Sequence, residues 1–144
     1  MANVIPDSFK TDLLKGVFNF DSSGGSTFKL ALYTDISGLP TSTAAFTATN
    51  EVGTSGTNYS SGGNTLSNLG VNITSNIAFV DFGDLTFPSV TLAAVGALIY
   101  KSGGSNEAVL VLDFGGTKTA TNGDFVVQFP TASNSAAIIR LGNA

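Results

Sequence analysis

Four aspartates are the strongest candidates for catalytic or metal-binding residues, because each lies beside an apolar run: Asp81, Asp84, Asp113 and Asp124. Two facing carboxyl groups can act as acid and base in glycoside hydrolysis, provided that a substrate cleft raises the pKa of one. Oxygen-rich turns could also hold Ca²⁺, although the spaced aspartates of an EF-hand are missing. Turn capping is the simpler interpretation of strand-end aspartates. We therefore predict no catalytic residue and no metal site.

The residue types that dominate enzyme active sites are missing. The 144 residues include no Cys and no His. This excludes Ser-His-Asp and Cys-His catalysis, imidazole metal ligands and thiolate-bound zinc. Two Asp-Phe-Gly triplets, at Asp81 and Asp113, match a kinase metal-binding motif, but the nucleotide and catalytic loops of kinases are absent. Phe114-Gly-Gly-Thr-Lys-Thr lacks the first glycine of a phosphate-binding loop. We expect a non-enzymatic protein without a cofactor.

Charge restricts the partners further. Only 11% of the residues are charged and the net charge is −4, all of it contributed by the four acidic residues between Lys29 and Lys101. No surface can concentrate enough Lys and Arg to bind phosphates, so we expect no nucleic-acid partner. An acidic surface discourages contact with anionic lipids, and no run of apolar residues is long enough to span a bilayer, so we expect no membrane association.

One segment near the start has helical spacing. Apolar residues at positions 9, 13, 14, 17 and 18 fall on one face of a helix, which we predict over residues 8–15. Asp7 or Ser8 can cap its start and Gly16 can end it. The chain divides into an arm and helix, residues 1–26, and a β domain, residues 27–144.

The remainder has the pattern of an all-β domain. Short apolar runs separated by Gly, Asn, Ser and Asp predict about eight strands: 27–34, 65–73, 77–82, 85–92, 95–101, 108–114, 124–129 and 136–141. Even spacing without interleaved helices predicts an antiparallel, jelly-roll-like β-sandwich. The interior should contain Leu30, Leu32, Ile99, Val109, Val111, Val126 and Ile138. The polar loop 35–63 is long for a compact domain, and we expect neighbouring subunits to order it.

Several turn-and-strand motifs look familiar: Asn58-Tyr-Ser-Ser-Gly-Gly-Asn-Thr-Leu66, Ala78-Phe-Val-Asp-Phe82, Leu85-Thr-Phe87, Ala97-Leu-Ile-Tyr100, Val111-Leu-Asp-Phe-Gly115 and Gly123-Asp-Phe-Val-Val-Gln-Phe-Pro130. Together with the opening residues 4–14, they resemble a family of small structural proteins of tailed bacteriophages. The resemblance implies a capsid cement or decoration protein with a jelly-roll-like sandwich. It also implies a location on the capsid exterior of the virion, binding to the major capsid protein, and a homo-oligomer or symmetric array.

The N-terminal segment is the predicted partner contact. Pro6 favours an extended arm before the helix. A short amphipathic helix needs another surface to be stable, either a second protein or an open end of its own sandwich. The predicted partner-binding residues are Val4, Ile5, Phe9, Leu13, Leu14, Val17, Phe18 and Tyr59. Tyr59 also serves the alternative function, a tail or fibre jelly-roll module that binds host carbohydrate. That function needs exposed aromatic platforms, and the chain has no Trp.

Overall fold

The computed structural model describes residues 3–143. In this part of the chain there are one helix, α1 (Asp7–Leu14), and seven strands: β1 (Phe28–Tyr33), β2 (Asn64–Thr65), β3 (Asn68–Thr74), β4 (Ile77–Phe82), β5 (Leu85–Lys101), β6 (Ala108–Val127) and β7 (Ile139–Leu141). The eight-residue helix is too short to cross a membrane, and the described residues contain no other helix.

The strands form two antiparallel sheets. The first has the order β2-β1-β5-β6 and the second the order β3-β4-β7. The register of β1 on β5 runs without a break from Phe28 opposite Lys101 to Tyr33 opposite Gly96. The predicted all-β antiparallel sandwich with a short N-terminal helix is confirmed.

Two of the predicted strand breaks are irregularities inside longer strands. β5 continues through residues 92–95 and β6 through residues 114–124, so that the two form one long hairpin with several register shifts. Gly115 and Gly116 have φ values of +75° and +148°. Glycine adopts these angles at little cost, so this glycine pair lets β6 bulge where the sequence predicted a turn.

The predicted helix is confirmed within one residue at each end, but the predicted cap is wrong. Pro6 occupies the N-cap position, and no side chain there bonds to the helix. The Ser8 hydroxyl instead donates a hydrogen bond to the Thr43 carbonyl at 3.1 Å, which joins the helix to the long loop. Gly16 follows the helix with φ +77°, the left-handed conformation expected of the residue that ends it.

The first sheet is buried on both faces around β1. Leu30 and Leu32 point into a cluster between the sheets, whereas Ala31 and Tyr33 belong to a second cluster on the opposite face. Residues 36–46 of the long loop contribute to that second cluster. Its buried members are Ala31, Tyr33, Ile36, Leu39, Leu98, Tyr100, Ala108 and Val111. β1 is therefore buried at five of its six residues, because a loop covers the face that alternation alone would leave to solvent.

Most of the predicted interior is confirmed. Leu30, Leu32, Ile99 and Val109 lie in the cluster between the sheets, and Ile138 packs partly against it. Val111 is fully buried on the opposite face. The prediction for Val126 is wrong, because its neighbours Phe125 and Val127 point into the core and leave its side chain 48% exposed.

The long loop 35–63 is held by its own domain. Its residues bridge to β1 through Glu51 and Tyr33, and Ala45 bridges to Glu107 beside the β5–β6 turn. Phe46 stacks on Tyr100 with ring centroids 4.8 Å apart. Contacts within the chain therefore anchor the loop, and its ordering by neighbouring subunits stays a prediction.

Candidate partner-binding surface

The N-terminal arm adds a short edge contact to the first sheet. The Val4 N–H donates to the Val111 carbonyl at 2.9 Å, and the Val111 N–H donates to the Val4 carbonyl at 2.8 Å. Two residues along β6, the Asp113 N–H donates to the Asn3 side-chain oxygen at 2.8 Å. The arm is extended, as Pro6 predicted, and it is fixed along β6 within its own chain.

The apolar face of α1 covers one end of the sandwich. Phe9 and Phe18 are 2% and 8% exposed, and their ring centroids lie 5.0 Å apart. Phe18 also stacks on Phe28 of β1 at 6.3 Å. Leu13 and Val17 pack partly against the same cluster. This corrects the prediction that Phe9 and Phe18 form a partner surface: a two-turn helix lacks stability alone, and its own sandwich supplies the apolar area that it needs.

Two of the predicted partner residues remain accessible. Ile5 is 42% exposed on the arm, and Leu14 is 89% exposed at the end of α1. Phe9 and Phe18 therefore pack the N-terminal segment against the domain, whereas Ile5 and Leu14 expose apolar area to solvent.

Ile5 lies in a groove with a volume of about 770 Å³. The groove follows β6 and ends at the C-terminal segment. Apolar side chains dominate its lining: Ile5, Leu112, Phe114, Val126, Phe129 and Ile138. Asp113, Lys118 and Asp124 also line it and supply charges of both signs. A concave, mostly apolar surface with a few charged groups suits a protein or small-molecule partner.

Sequence reasoning missed the contribution of β6 to this groove. The sequence predicts Val126 to be interior, yet its side chain is half exposed in the groove, and Phe114 beside it on the groove lining is only partly buried. The sequence did contain an indication of this groove, namely the unbroken apolar run 125–127. A strand with one face in solvent usually alternates apolar and polar residues, so an apolar residue at position 126 indicates that this face is also covered.

Tyr59 is buried and forms part of a polar cluster. Its side chain is 3% exposed, its hydroxyl donates to Glu51 Oε1 at 2.8 Å, and the same hydroxyl accepts from the Leu32 N–H at 3.0 Å. Burial raises the pKa of Tyr59 well above its ordinary value, so the hydroxyl stays protonated. Tyr59 is therefore not an exposed aromatic platform for sugar, which corrects the prediction made for it.

Glu51 holds the motif around Tyr59 against β1. Its Oε1 also accepts from the Gly62 N–H at 2.6 Å, and its Oε2 accepts from the Ser61 hydroxyl at 2.9 Å. At Gly63, a Cβ would lie 1.8 Å from the Leu30 carbonyl oxygen, and φ is +74°. Only glycine permits this approach. The Asn58–Leu66 motif thus fixes the end of the long loop, and a lone glutamate in a Ser- and Gly-rich loop was the signal for it.

Three of the four candidate aspartates accept backbone hydrogen bonds at strand ends or turns. Asp84 accepts from the Phe129 N–H, Asp113 from the Gly115 N–H, and Asp124 from the Ser89 N–H, at 2.8, 2.8 and 3.1 Å. Each of these bonds ties a strand end or a turn, as the turn-capping interpretation requires.

Asp81 is the exception, because it is buried on β4. It is 2% exposed, and its Oδ1 accepts from the Phe82 N–H at 2.8 Å. Its Oδ2 is buried without a hydrogen-bond partner in the described part of the chain. Burial raises the pKa of Asp81, and the charge of Asp84 adds to the effect. The carboxyl does not line the groove that contains Ile5, so it cannot reach a substrate bound there.

Within residues 3–143, His, Cys, Asp and Glu side chains form no group of three or more that could bind a metal ion. Comparison with known proteins gives no match to a family model, to a curated protein or to a solved structure.

Proposed function

We propose that this protein is a non-enzymatic virion protein that decorates the exterior of a tailed-phage capsid and reinforces contacts between copies of the major capsid protein. The motif resemblance supports the role. The groove on β6 supports the mode of binding, because it joins an exposed apolar residue of the arm to apolar residues of the sheet and the C-terminal segment.

The observation that carries the proposal is the exposure of Ile5 in that groove. The arm is held to β6 by the Val4–Val111 bridge, and yet Ile5 stays 42% exposed beside the half-exposed Val126. A side chain fixed in this way loses little conformational freedom on binding, so more of its burial energy remains for association. Burying each such side chain stabilises a complex by roughly 1.5–3 kcal/mol before association costs.

The mechanism is buried apolar area repeated by symmetry. A modest contact made by each copy is multiplied over a closed shell, where identical sites recur. Because such contacts are apolar, they should survive high salt, whereas contacts that depend on exposed charges would weaken.

The test is binding of the purified protein to shells that lack it. Ile5→Asp and Val126→Asp should each reduce binding at least tenfold, because each places a carboxylate in a buried contact worth more than about 1.4 kcal/mol. Leu69→Asp is the matched control, since Leu69 is 49% exposed but lies on β3, outside the groove. All three variants should melt close to the wild type, because all three sites are exposed.

Wild-type binding by both groove variants would contradict the proposed contact. The rival carbohydrate-binding function has lost its best residue, since Tyr59 is buried in the Glu51 cluster.

A further inference from the structure

The second sheet has an open edge at β3. This strand is terminal in the order β3-β4-β7 and joins β4 through the two-residue turn Ser75-Asn76, whose φ values are +52° and +65°. Positive φ at both residues identifies a type I′ hairpin turn. In such a hairpin the residues flanking the turn, Thr74 and Ile77, exchange both backbone hydrogen bonds, and this exchange recurs at every second pair.

The alternation decides which backbone groups face the edge. Thr74 and Asn72 bond to β4, so the N–H and C=O groups of Val71 and Ile73 point the other way. In the described part of the chain, no backbone hydrogen bond from another segment reaches these two residues. Val71 and Ile73, which are separated only by Asn72, therefore present unpaired backbone N–H and C=O groups along the open edge.

The side chains do nothing to protect this edge. Val71 is 53% exposed and Ile73 is 72% exposed, and β3 contains no charged residue. Natural edge strands are usually protected by charge, proline, short length or a covering segment. The other edges follow this rule: β2 has two residues, β7 has three and includes Arg140, and the arm covers β6 at Val111. A bulge between Asn68 and Val71 disrupts only the start of β3.

We propose that β3 binds a second copy of this chain, with Val71 and Ile73 pairing antiparallel to Ile73 and Val71 of the other copy about a two-fold axis at Asn72. This register alone uses both unpaired residues and forms four backbone hydrogen bonds. The two three-stranded sheets then become one sheet of six strands. The inference does not rest on the proposed capsid role.

A second copy suits this edge better than an unrelated strand does. An edge strand related by a two-fold axis is self-complementary, and β3 brings no like charges together although the chain carries −4 overall. Val71 also lines a smaller groove, of about 420 Å³, with Leu13, Phe18 and Leu141. Ile73 from the second copy would lie against Val71 and extend that apolar surface.

Sedimentation of the full-length protein tests the pairing. The wild type should shift from monomer to dimer as its concentration is raised to about 1 mM, and Ile73→Lys should weaken the dimer at least tenfold. Leu14→Lys is the matched control, because Leu14 is 89% exposed and lies outside β3. It should dimerise like the wild type. A wild type that stays monomeric at the highest concentration overturns the proposal, and so does equal dimerisation of the two lysine variants.

A cysteine probe tests the register, because the chain has no Cys of its own. Asn72 of one copy would lie opposite Asn72 of the second copy as a non-hydrogen-bonded pair. In such pairs the two Cα atoms lie about 4.5 Å apart, which is within the range of a disulfide. Asn72→Cys should therefore form a disulfide-linked dimer under mild oxidation at least tenfold faster than Leu14→Cys. Equal rates overturn the proposed register. A wild-type dimer that Ile73→Lys leaves intact identifies another interface and overturns the proposal as well.

Discussion

β1 and β3 are strands of nearly equal length that differ in how much of each is buried. Five of the six residues of β1 are buried, whereas none of the seven residues of β3 is. β1 has the loop 35–63 on one face and the second sheet on the other, while β3 lies at an open edge with Val71 and Ile73 half exposed or more. A strand forms from its alternation and its turns, but its contribution to stability depends on what covers it. The covered sheet maintains the fold, and the open edge is free to bind.

Substitutions of two isoleucines should show the largest difference between the two sheets' surroundings. Ile99 of β5 is 0% exposed and Ile73 of β3 is 72% exposed. Ile99→Ala should lower the free energy of unfolding by about 2–5 kcal/mol, because it leaves a cavity in a packed core. Ile73→Ala should change it by less than about 0.5 kcal/mol.

Denaturant unfolding of both variants at low protein concentration measures the difference in the free energy of unfolding. Similar losses at the two positions would show that the second sheet is as tightly packed as the first and would contradict the comparison.

The Glu51 cluster should give the next largest effect. Tyr59→Phe removes a hydroxyl that donates to Glu51 and accepts from Leu32, so the buried Leu32 N–H loses its partner. Such a loss costs about 1–3 kcal/mol. Tyr100→Phe is the control, because the Tyr100 hydroxyl makes a single described bond, to the Gly62 carbonyl at 2.7 Å.

Thermal melting should rank Tyr59→Phe below Tyr100→Phe, and both below the wild type. The opposite ranking would mean that the loop is anchored mainly through Tyr100.

Asp81 should give the smallest effect, and the size of this effect depends on pH. Burial raises the pKa of Asp81 in the folded state, so the folded protein binds more protons than the unfolded chain and stability from this group is lost as pH rises through that pKa. Asp81→Asn should therefore melt above the wild type at neutral pH, and the gap should close as pH falls toward the ordinary aspartate range.

Asp35 provides a control of opposite sign. Hydrogen bonds from the Ser37 N–H and side chain lower the pKa of Asp35, so its contribution to stability is present at neutral pH and lost in acid. Asp35→Asn should melt below the wild type at neutral pH, with the gap again closing in acid. A gap for Asp81→Asn that does not change with pH would contradict the assignment.

Local patterns in the sequence predicted the elements, because α1 and most strands depend on spacing and turn residues near them in the chain. What covers each apolar face could not be predicted in this way. Phe9 and Phe18 could have covered either the chain's own sandwich or a second protein, since their spacing is the same in both cases. Tyr59 looked exposed because Ser and Gly surround it in the sequence, but its burial depends on contacts with Glu51, Leu32 and Phe87. Ile5 and Val126 line the same groove although they lie far apart in the sequence, and no local pattern encodes this arrangement.

Counting the copies of this protein in purified particles is the strongest test of the proposed capsid role. A capsid decoration protein should be present in hundreds of copies per particle, in a constant ratio to the major capsid protein, because it occupies sites repeated by the symmetry of the shell. Quantified band intensities from a protein gel give this ratio. A constant ratio at that level is the predicted result; a few copies to dozens per particle, or none, would contradict the capsid role.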